Sequence, residues 1–91
     1  MKHKSIQTIE YSPTFFKQLK KFPKAQLKFL EKKETIFRSN PFDPRLKTHK
    51  LQGALSDFYS FSISYHWRIV FHFEKDEEVI FDAIGTHAIY L

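Results

Sequence analysis

The sequence predicts an α+β fold in which two N-terminal helices pack on a twisted, mostly antiparallel sheet of four strands. Its 91 residues suffice for a single domain, residues 1–91. Apolar residues recur at helical spacing in the first 40 residues, and from residue 59 they alternate with polar ones. The predicted order is β-α-α-β-β-β, and short turns between the last strands favour antiparallel pairing.

The first helix is predicted from its start signal. A mixed, β-branched segment at residues 5–11 indicates a short strand. Ser12 and Pro13 then supply an N-cap and a proline suited to the first helical position. Three apolar residues share one face of the helix that follows: Phe15, Phe16 and Leu19.

A second, longer helix is predicted to open at Pro23 and to end at Asn40-Pro41. Its apolar stripe repeats at a spacing of seven and comprises Phe29, Leu30, Ile36 and Phe37.

The second half of the chain reads as three strands. In the first, Tyr59, Phe61, Ile63 and Tyr65 alternate with Ser60, Ser62, Ser64 and His66, which predicts one buried and one small polar face. In the second, Ile69, Phe71 and Phe73 alternate with Arg68, Val70 and His72. The third covers residues 79–84 and ends before Gly85.

Composition excludes several classes of protein. The chain contains no cysteine, so neither disulfides nor cysteine-based zinc sites are available. We see no signal-peptide pattern at the start and no apolar run near the ~20 residues of a membrane span. A cytoplasmic protein that does not contact membranes is therefore expected.

Positive charge is concentrated in one part of the chain. Residues 17–50 hold eleven basic and three acidic side chains, whereas residues 74–78 hold four acidic ones and one lysine. This asymmetry suggests a polyanionic partner, either nucleic acid or an acidic protein segment, although a solubilising surface would look the same.

Arginine, histidine and tyrosine supply the candidate catalytic groups. Arg68 lies on the strand face shared with serines, where its guanidinium has room to bind a phosphate. His49, His66 and His87 lie in predicted loops or at strand ends, and each could transfer a proton or be an ordinary loop histidine. Tyr90 could stack on a base or act as a C-terminal clasp.

The loop at residues 45–50 is basic, and Arg45, Lys47 and Lys50 are candidates for contacts with RNA or ribosomal phosphates. We find neither a glycine-rich phosphate loop nor a compact set of metal ligands, so no metal and no cofactor is expected. The remaining set suits RNA cleavage by its own 2′-hydroxyl, with a base, cations for the phosphate and an acid for the leaving oxygen.

Four segments resemble, in order, the motifs of RelE/ParE superfamily toxins, and most closely those of RelE/YafQ-like mRNA interferases. Residues 12–20 are similar to the first-helix signature, residues 47–53 to an HxLxG entry to the sheet, residues 65–71 to a wRivy strand, and residues 84–90 to a GTHxxxY/F ending. The resemblance spans nearly the whole chain.

The resemblance implies a RelE-like fold and a type II toxin, a metal-independent endoribonuclease that cuts messenger RNA on the ribosome and inhibits translation. It implies a cognate antitoxin as partner, besides ribosome and mRNA. It places Arg68 at the phosphate-stabilising position, His49 and His87 at catalytic histidines, and Tyr90 near the terminal aromatic.

The chain departs from the YafQ pattern at three positions. His66 replaces an aspartate, Ser62 replaces a histidine, and Ala83 stands where relatives often carry a basic residue. The general base is therefore open between His49, His66 and His87.

Two other functions fit the same fold. A ParE-like relative would poison DNA gyrase, although the three histidines and Tyr90 argue against this. A degenerate toxin would be a non-catalytic module that binds nucleic acid or protein.

Overall fold

The computed structural model describes residues 5–86 and confirms the predicted α+β class. Its sheet has five strands rather than four, in the order β1-β5-β4-β3-β2. The strands are β1 (Thr8–Tyr11), β2 (His49–Lys50), β3 (Tyr59–Ser62), β4 (Arg68–Lys75) and β5 (Glu78–Gly85). The additional strand, β2, consists of two residues paired with β3, and a strand of this length is too short to show a periodicity in the sequence. The central pairs are antiparallel, whereas β1 lies parallel to β5.

Helix α1 (Pro13–Leu19) begins as the sequence predicts, because the Ser12 hydroxyl accepts a 3.0 Å hydrogen bond from the backbone N–H of Phe15. Helix α2 (Leu27–Ser39) begins later than predicted. A turn of 3₁₀ helix, Lys24–Gln26, separates Pro23 from it. Pro23 has no side-chain acceptor for a cap, and the turn is closed by a 2.9 Å bond from Gln26 N–H to the Pro23 carbonyl.

Aromatic rings fill the core between α2 and the sheet. Phe37, fully buried on α2, lies at 4.9, 4.8 and 5.2 Å between ring centroids from Phe61, Phe71 and Phe81, which belong to three neighbouring strands. Such ring pairs contribute beyond the area that they bury. The phenylalanine-rich composition is thus concentrated where the helix meets the sheet.

Three aromatic residues that the periodicity predicts to be buried are exposed instead. Phe16 is 55% exposed and Phe29 45%, because the buried stripe of each helix is narrower than its apolar stripe. Tyr65 is 86% exposed, since β3 ends at Ser62 and residues 63–66 turn back, with Ile63 N–H donating to the Trp67 carbonyl at 2.8 Å. Conversely, Ser60 and Ser62 are buried.

A β-bulge in β5 is held by α1. Val70 pairs with Ala83 and Phe71 with Phe81, so Asp82 is an extra residue in the strand. The Ser12 hydroxyl donates to the Asp82 carbonyl at 2.9 Å, and the Ile84 N–H donates to the side chain of Gln18 on α1 at 2.9 Å. These bonds fix the end of β5, from which the chain continues toward His87. Among residues 5–86, no helix has the length and apolar character needed to cross a membrane.

Candidate functional site

A basic cavity of about 400 Å³ lies between α2, the loop before β2 and the turn that joins β3 to β4. Its lining residues are Lys33, Arg45, Lys47, Ser62, Ser64, Tyr65 and Arg68. Four of these are cations, and no carboxylate is among them. A cleft lined by one sign of charge attracts the opposite sign, so this cavity suits an anionic ligand.

Arg68 lines this cavity and is held in place by its neighbours. It is the first residue of β4 and pairs across the sheet with Ser62. Its Nη1 donates a 2.6 Å hydrogen bond to the Ser62 hydroxyl. The next residue, Ile69, is fully buried and Trp67 packs against the core, so the backbone that carries Arg68 is anchored on both sides.

The loop that carries Arg45 and Lys47 is rigid for local reasons. The Asp43 carboxylate accepts from the Arg45 backbone N–H at 2.9 Å and from its Nε and Nη2 at 3.0 and 2.9 Å. These bonds from Arg45 lower the pKa of Asp43 to about 2. Leu46, fully buried, anchors the loop in the core.

Lys47 adopts a left-handed backbone conformation, with φ 55° and ψ 39°. Outside glycine this conformation is uncommon, and it places the Lys47 carbonyl 3.2 Å from Nδ1 of His49. A carbonyl only accepts, so Nδ1 is the donor in this contact, and the tautomer that it favours has its lone pair on Nε2.

Lys33 is a cavity residue that the sequence did not single out. It lies on α2, and its Nζ donates a 2.9 Å hydrogen bond to the Arg45 carbonyl. Partial burial lowers its pKa first, and the neighbouring cations of Lys32, Lys47 and Arg45 lower it further. In the sequence, Lys24, Lys28 and Lys32 form a basic row at i, i+4 spacing, and Lys33 stands outside that row, so residue spacing did not point to it.

The predicted site residues are distributed unevenly around the cavity. Arg45, Lys47 and Arg68 line it. His49 and His66 are exposed and lie outside its lining, but each is within two residues of a lining residue. The His66 ring lies 4.7 Å from that of Tyr65. His87 and Tyr90 lie outside the described residues.

Lys50 borders a second cavity of about 430 Å³, lined by Lys50, Ser56, Asp57, Tyr59, His72 and Phe73. Nδ1 of His72 lies 2.7 Å from the Asp82 carboxylate. Burial raises the pKa of Asp82, although the hydrogen bond to His72 opposes this. With one lysine and one aspartate in its lining, this cavity lacks the cationic character of the first. In residues 5–86 no group of three histidine, aspartate or glutamate side chains is arranged to hold a metal ion.

Solved toxin structures share this fold. YafQ from E. coli strain BL21(DE3) is 25% identical, with a TM-score of 0.69 over 93% of this chain and 99% of that one. A metal-bound toxin from Helicobacter pylori is 29% identical, with a TM-score of 0.74 over 94% and 100% of the two chains. YafQ in the E. coli DinJ–YafQ toxin–antitoxin complex is 25% identical, with a TM-score of 0.73 over 91% and 94%.

No curated protein sequence matches the chain. The family model for YafQ, the bacterial toxin of a type II toxin–antitoxin system, matches residues 7–90, which is nearly the whole chain. The predicted resemblance to RelE/YafQ-like toxins is therefore confirmed. This chain belongs to the YafQ family of bacterial toxins of type II toxin–antitoxin systems.

Proposed function

We propose that this chain is an endoribonuclease that cuts messenger RNA on the ribosome and so inhibits translation. The observation that carries the proposal is the fixed guanidinium of Arg68 in a cavity lined by four cations. A preorganised cation stabilises the charge that develops on a phosphate in the transition state, and it needs no reorganisation as the reaction proceeds.

In the proposed reaction the RNA supplies its own nucleophile. A base removes the proton of the 2′-hydroxyl, whose oxygen attacks the adjacent phosphorus while the bond to the 5′-oxygen breaks. An acid protonates that leaving oxygen, which gives a 2′,3′-cyclic phosphate and a 5′-hydroxyl. Arg68 stabilises the negative charge that the phosphate gains in the transition state.

The histidines are the proposed groups for proton transfer. The lone pair on Nε2 of neutral His49 suits the general base, because Nδ1 is occupied by the Lys47 carbonyl. His66 and His87 are the other candidates for base and acid. Tyr90 is proposed to stack on a base or to donate its phenol to a phosphate. Arg45, Lys47 and Lys50 would contact phosphates of RNA or ribosome.

We propose that the reaction needs no metal, since the side chains of the cavity supply the positive charge at the phosphate. The relative from Helicobacter pylori described as metal-bound makes this a point to test. No other cofactor is required by the proposed steps.

The proposed partner, besides ribosome and mRNA, is an acidic antitoxin, as DinJ is the partner of YafQ in the E. coli complex. Exposed lysines of the helical region, Lys17, Lys20, Lys24 and Lys28, provide a surface for its acidic groups. The exposed rings of Phe16 and Phe29 provide apolar anchors. Action in the cytoplasm is part of this proposal.

The test is cleavage of a defined messenger on purified ribosomes, with toxin that has been treated with a chelator and then freed of it. We expect cuts within the ribosome-bound message, no cutting of the free message and no effect of chelation. Activity that disappears on chelation and returns only with added zinc would overturn metal independence. If the messenger stays intact and purified gyrase is inhibited, the endoribonuclease is rejected and the chain is a gyrase poison.

A further inference from the structure

The cations of the basic cavity come from different parts of the fold. Arg68, bound to Ser62, stands at the start of β4. Lys33 comes from α2 and Lys47 from the loop before β2. At about 400 Å³, the cavity falls within the roughly 300–1,000 Å³ of small-molecule sites, which is more than one phosphate group needs.

Lys33 is oriented but not neutralised. Its ammonium has three donors, and within residues 5–86 the bond to the Arg45 carbonyl is the one hydrogen bond it makes. Asp43, the acidic side chain whose charge raises the pKa of Lys33, is engaged by the guanidinium of Arg45 through two bonds. Two N–H donors of Lys33 therefore remain for a ligand.

Lys47 lines the same cavity and has an unusual backbone conformation. A left-handed conformation at a residue other than glycine costs free energy, and such residues cluster at functional sites. At this residue the carbonyl contacts Nδ1 of His49, and the side chain lines the cavity that Lys33 also lines.

The walls of the cavity are also tied together. The Ser64 hydroxyl, on the turn after β3, donates a 2.8 Å hydrogen bond to the side chain of Gln26, just before α2. The bond from Lys33 to the Arg45 carbonyl ties α2 to the loop. The cations are thus held by a scaffold that exists before any ligand binds, which lowers the cost of ordering them.

We infer that Lys33 and Lys47 form a phosphate-binding subsite that holds the RNA backbone phosphate next to the scissile one. The inference rests on the proposed function, which places the scissile phosphate at Arg68. Lysine binds phosphate as a point charge, so the subsite sets the position of the strand without reading its bases. Because it binds substrate and transition state alike, it lowers KM and leaves kcat unchanged.

The probe is a dye-labelled RNA hexanucleotide with 2′-O-methyl groups throughout, which has no nucleophile and cannot be cut. Binding is followed by fluorescence anisotropy over a range of salt concentrations. The test variants are Lys33→Met and Lys47→Asn, since asparagine tolerates the left-handed conformation. Lys32→Met is the matched control, because Lys32 is an exposed neighbour on α2 outside the cavity.

We expect each test variant to bind roughly tenfold more weakly, as for loss of a charge-assisted hydrogen bond. The slope of log affinity against log salt should fall by about 0.7 for each lost phosphate contact with a single strand. Lys32→Met should retain the wild-type slope. Melting temperatures of all variants are measured to show that they fold. In ribosomal cleavage, Lys33→Met should raise KM severalfold and keep kcat.

The outcomes separate the subsite from the proposed function. No binding of the hexanucleotide by the wild type, or equal losses in Lys33→Met and Lys32→Met, would overturn the subsite even if the ribosomal messenger is cut. Lys33-dependent binding without cleavage would support a phosphate subsite and reject the endoribonuclease.

Discussion

The guanidinium of Arg68 donates a 2.6 Å hydrogen bond to the hydroxyl of Ser62, its partner across β3 and β4. Ser62 is buried, at 8% exposure, and its hydroxyl is held in this contact with Arg68. In the YafQ pattern this position is a histidine. Here the residue orients the arginine instead, which makes Arg68 the best-positioned catalytic candidate among the described residues.

Arg68→Ala should lose cleavage while keeping its fold. Removing one preorganised group that stabilises transition-state charge typically costs ~10²–10³ in rate. Arg68→Lys should recover only part of the rate, because lysine keeps the charge and loses the planar fork of donors. The measurement is single-turnover cleavage at saturating ribosome.

Melting temperature and antitoxin binding are the controls for Arg68→Ala. Both should remain near wild type, because the proposed antitoxin surface lies on the helical region and not on the sheet. Cleavage close to the wild-type rate would remove Arg68 from the site. A collapsed melting temperature would make it a structural residue.

Ser62→Ala should lower kcat through Arg68. The variant keeps the guanidinium but removes one acceptor that orients it, so we expect about a tenfold loss, smaller than that of Arg68→Ala. Ser64→Ala is the matched variant, since its hydroxyl bonds Gln26 rather than Arg68. Combining Ser62→Ala with Arg68→Ala should add nothing to the loss, and additive losses would show that Ser62 acts independently.

Sequence patterns predicted those parts of the fold that interactions between neighbouring residues determine. The cap at Ser12, a strand over residues 68–73 and the basic loop all appear where the sequence placed them, although Val70, expected on the polar face of that strand, is buried. The exposure of Tyr65 depends on the turn at residues 63–66, and the pairing of β2 depends on its contact with β3, neither of which periodicity encodes.

The candidate site was less predictable than the fold, for the same reason. Arg68 could be identified because it is a cation at the start of a strand-like segment, on the face that the alternation shares with serines. Lys33 could not, since it is one of many lysines on a helix and only the bend of the chain at Arg45 brings the loop to it. The bulge at Asp82 likewise depends on bonds from α1 that no local signal shows.

His49→Ala should reduce cleavage more than His66→Ala. The His49 ring is oriented by the Lys47 carbonyl, whereas the contact found for the exposed His66 ring is with Tyr65, itself exposed. If His49 and His87 share proton transfer, each single variant is mild and the double variant reaches the ~10²–10⁴ loss typical of general acid–base catalysis. Single-turnover cleavage rates of the variants test this. A larger loss in His66→Ala than in His49→Ala would identify His66 as the general base.

Charge reversal on the helices should weaken antitoxin binding in part. Replacing Lys17, Lys20, Lys24 and Lys28 with glutamate removes exposed positive charge. Because apolar anchors remain, raised salt should weaken the wild-type complex only partly. Calorimetry of purified toxin with antitoxin gives the affinity. Unchanged affinity after several reversals would exclude this surface, and ribosomal cleavage by the free variants should stay near wild type.

Tyr11→Phe should reveal a pH-dependent clamp between β1 and α2. The Tyr11 hydroxyl donates to the Glu34 carboxylate, which also pairs with Arg38 at 3.3 Å. Burial, followed by the bond to Glu34, raises the pKa of Tyr11 to about 12. A pKa raised above its unfolded value of 10.0 means that the folded state holds the proton more tightly. The stabilisation is therefore full below pH 10 and is lost as pH rises through 12.

The size of this stabilisation is modest, because Tyr11 is only partly buried and solvent screens the interaction. We expect Tyr11→Phe to lower the free energy of unfolding by about 1 kcal/mol at pH 8. The difference from wild type should shrink toward zero between pH 10 and 12. Urea unfolding of both proteins across pH 8–12 measures it. Glu34→Gln keeps an acceptor and removes the charge, so it should reduce the pH dependence, and a constant difference at every pH would contradict the clamp.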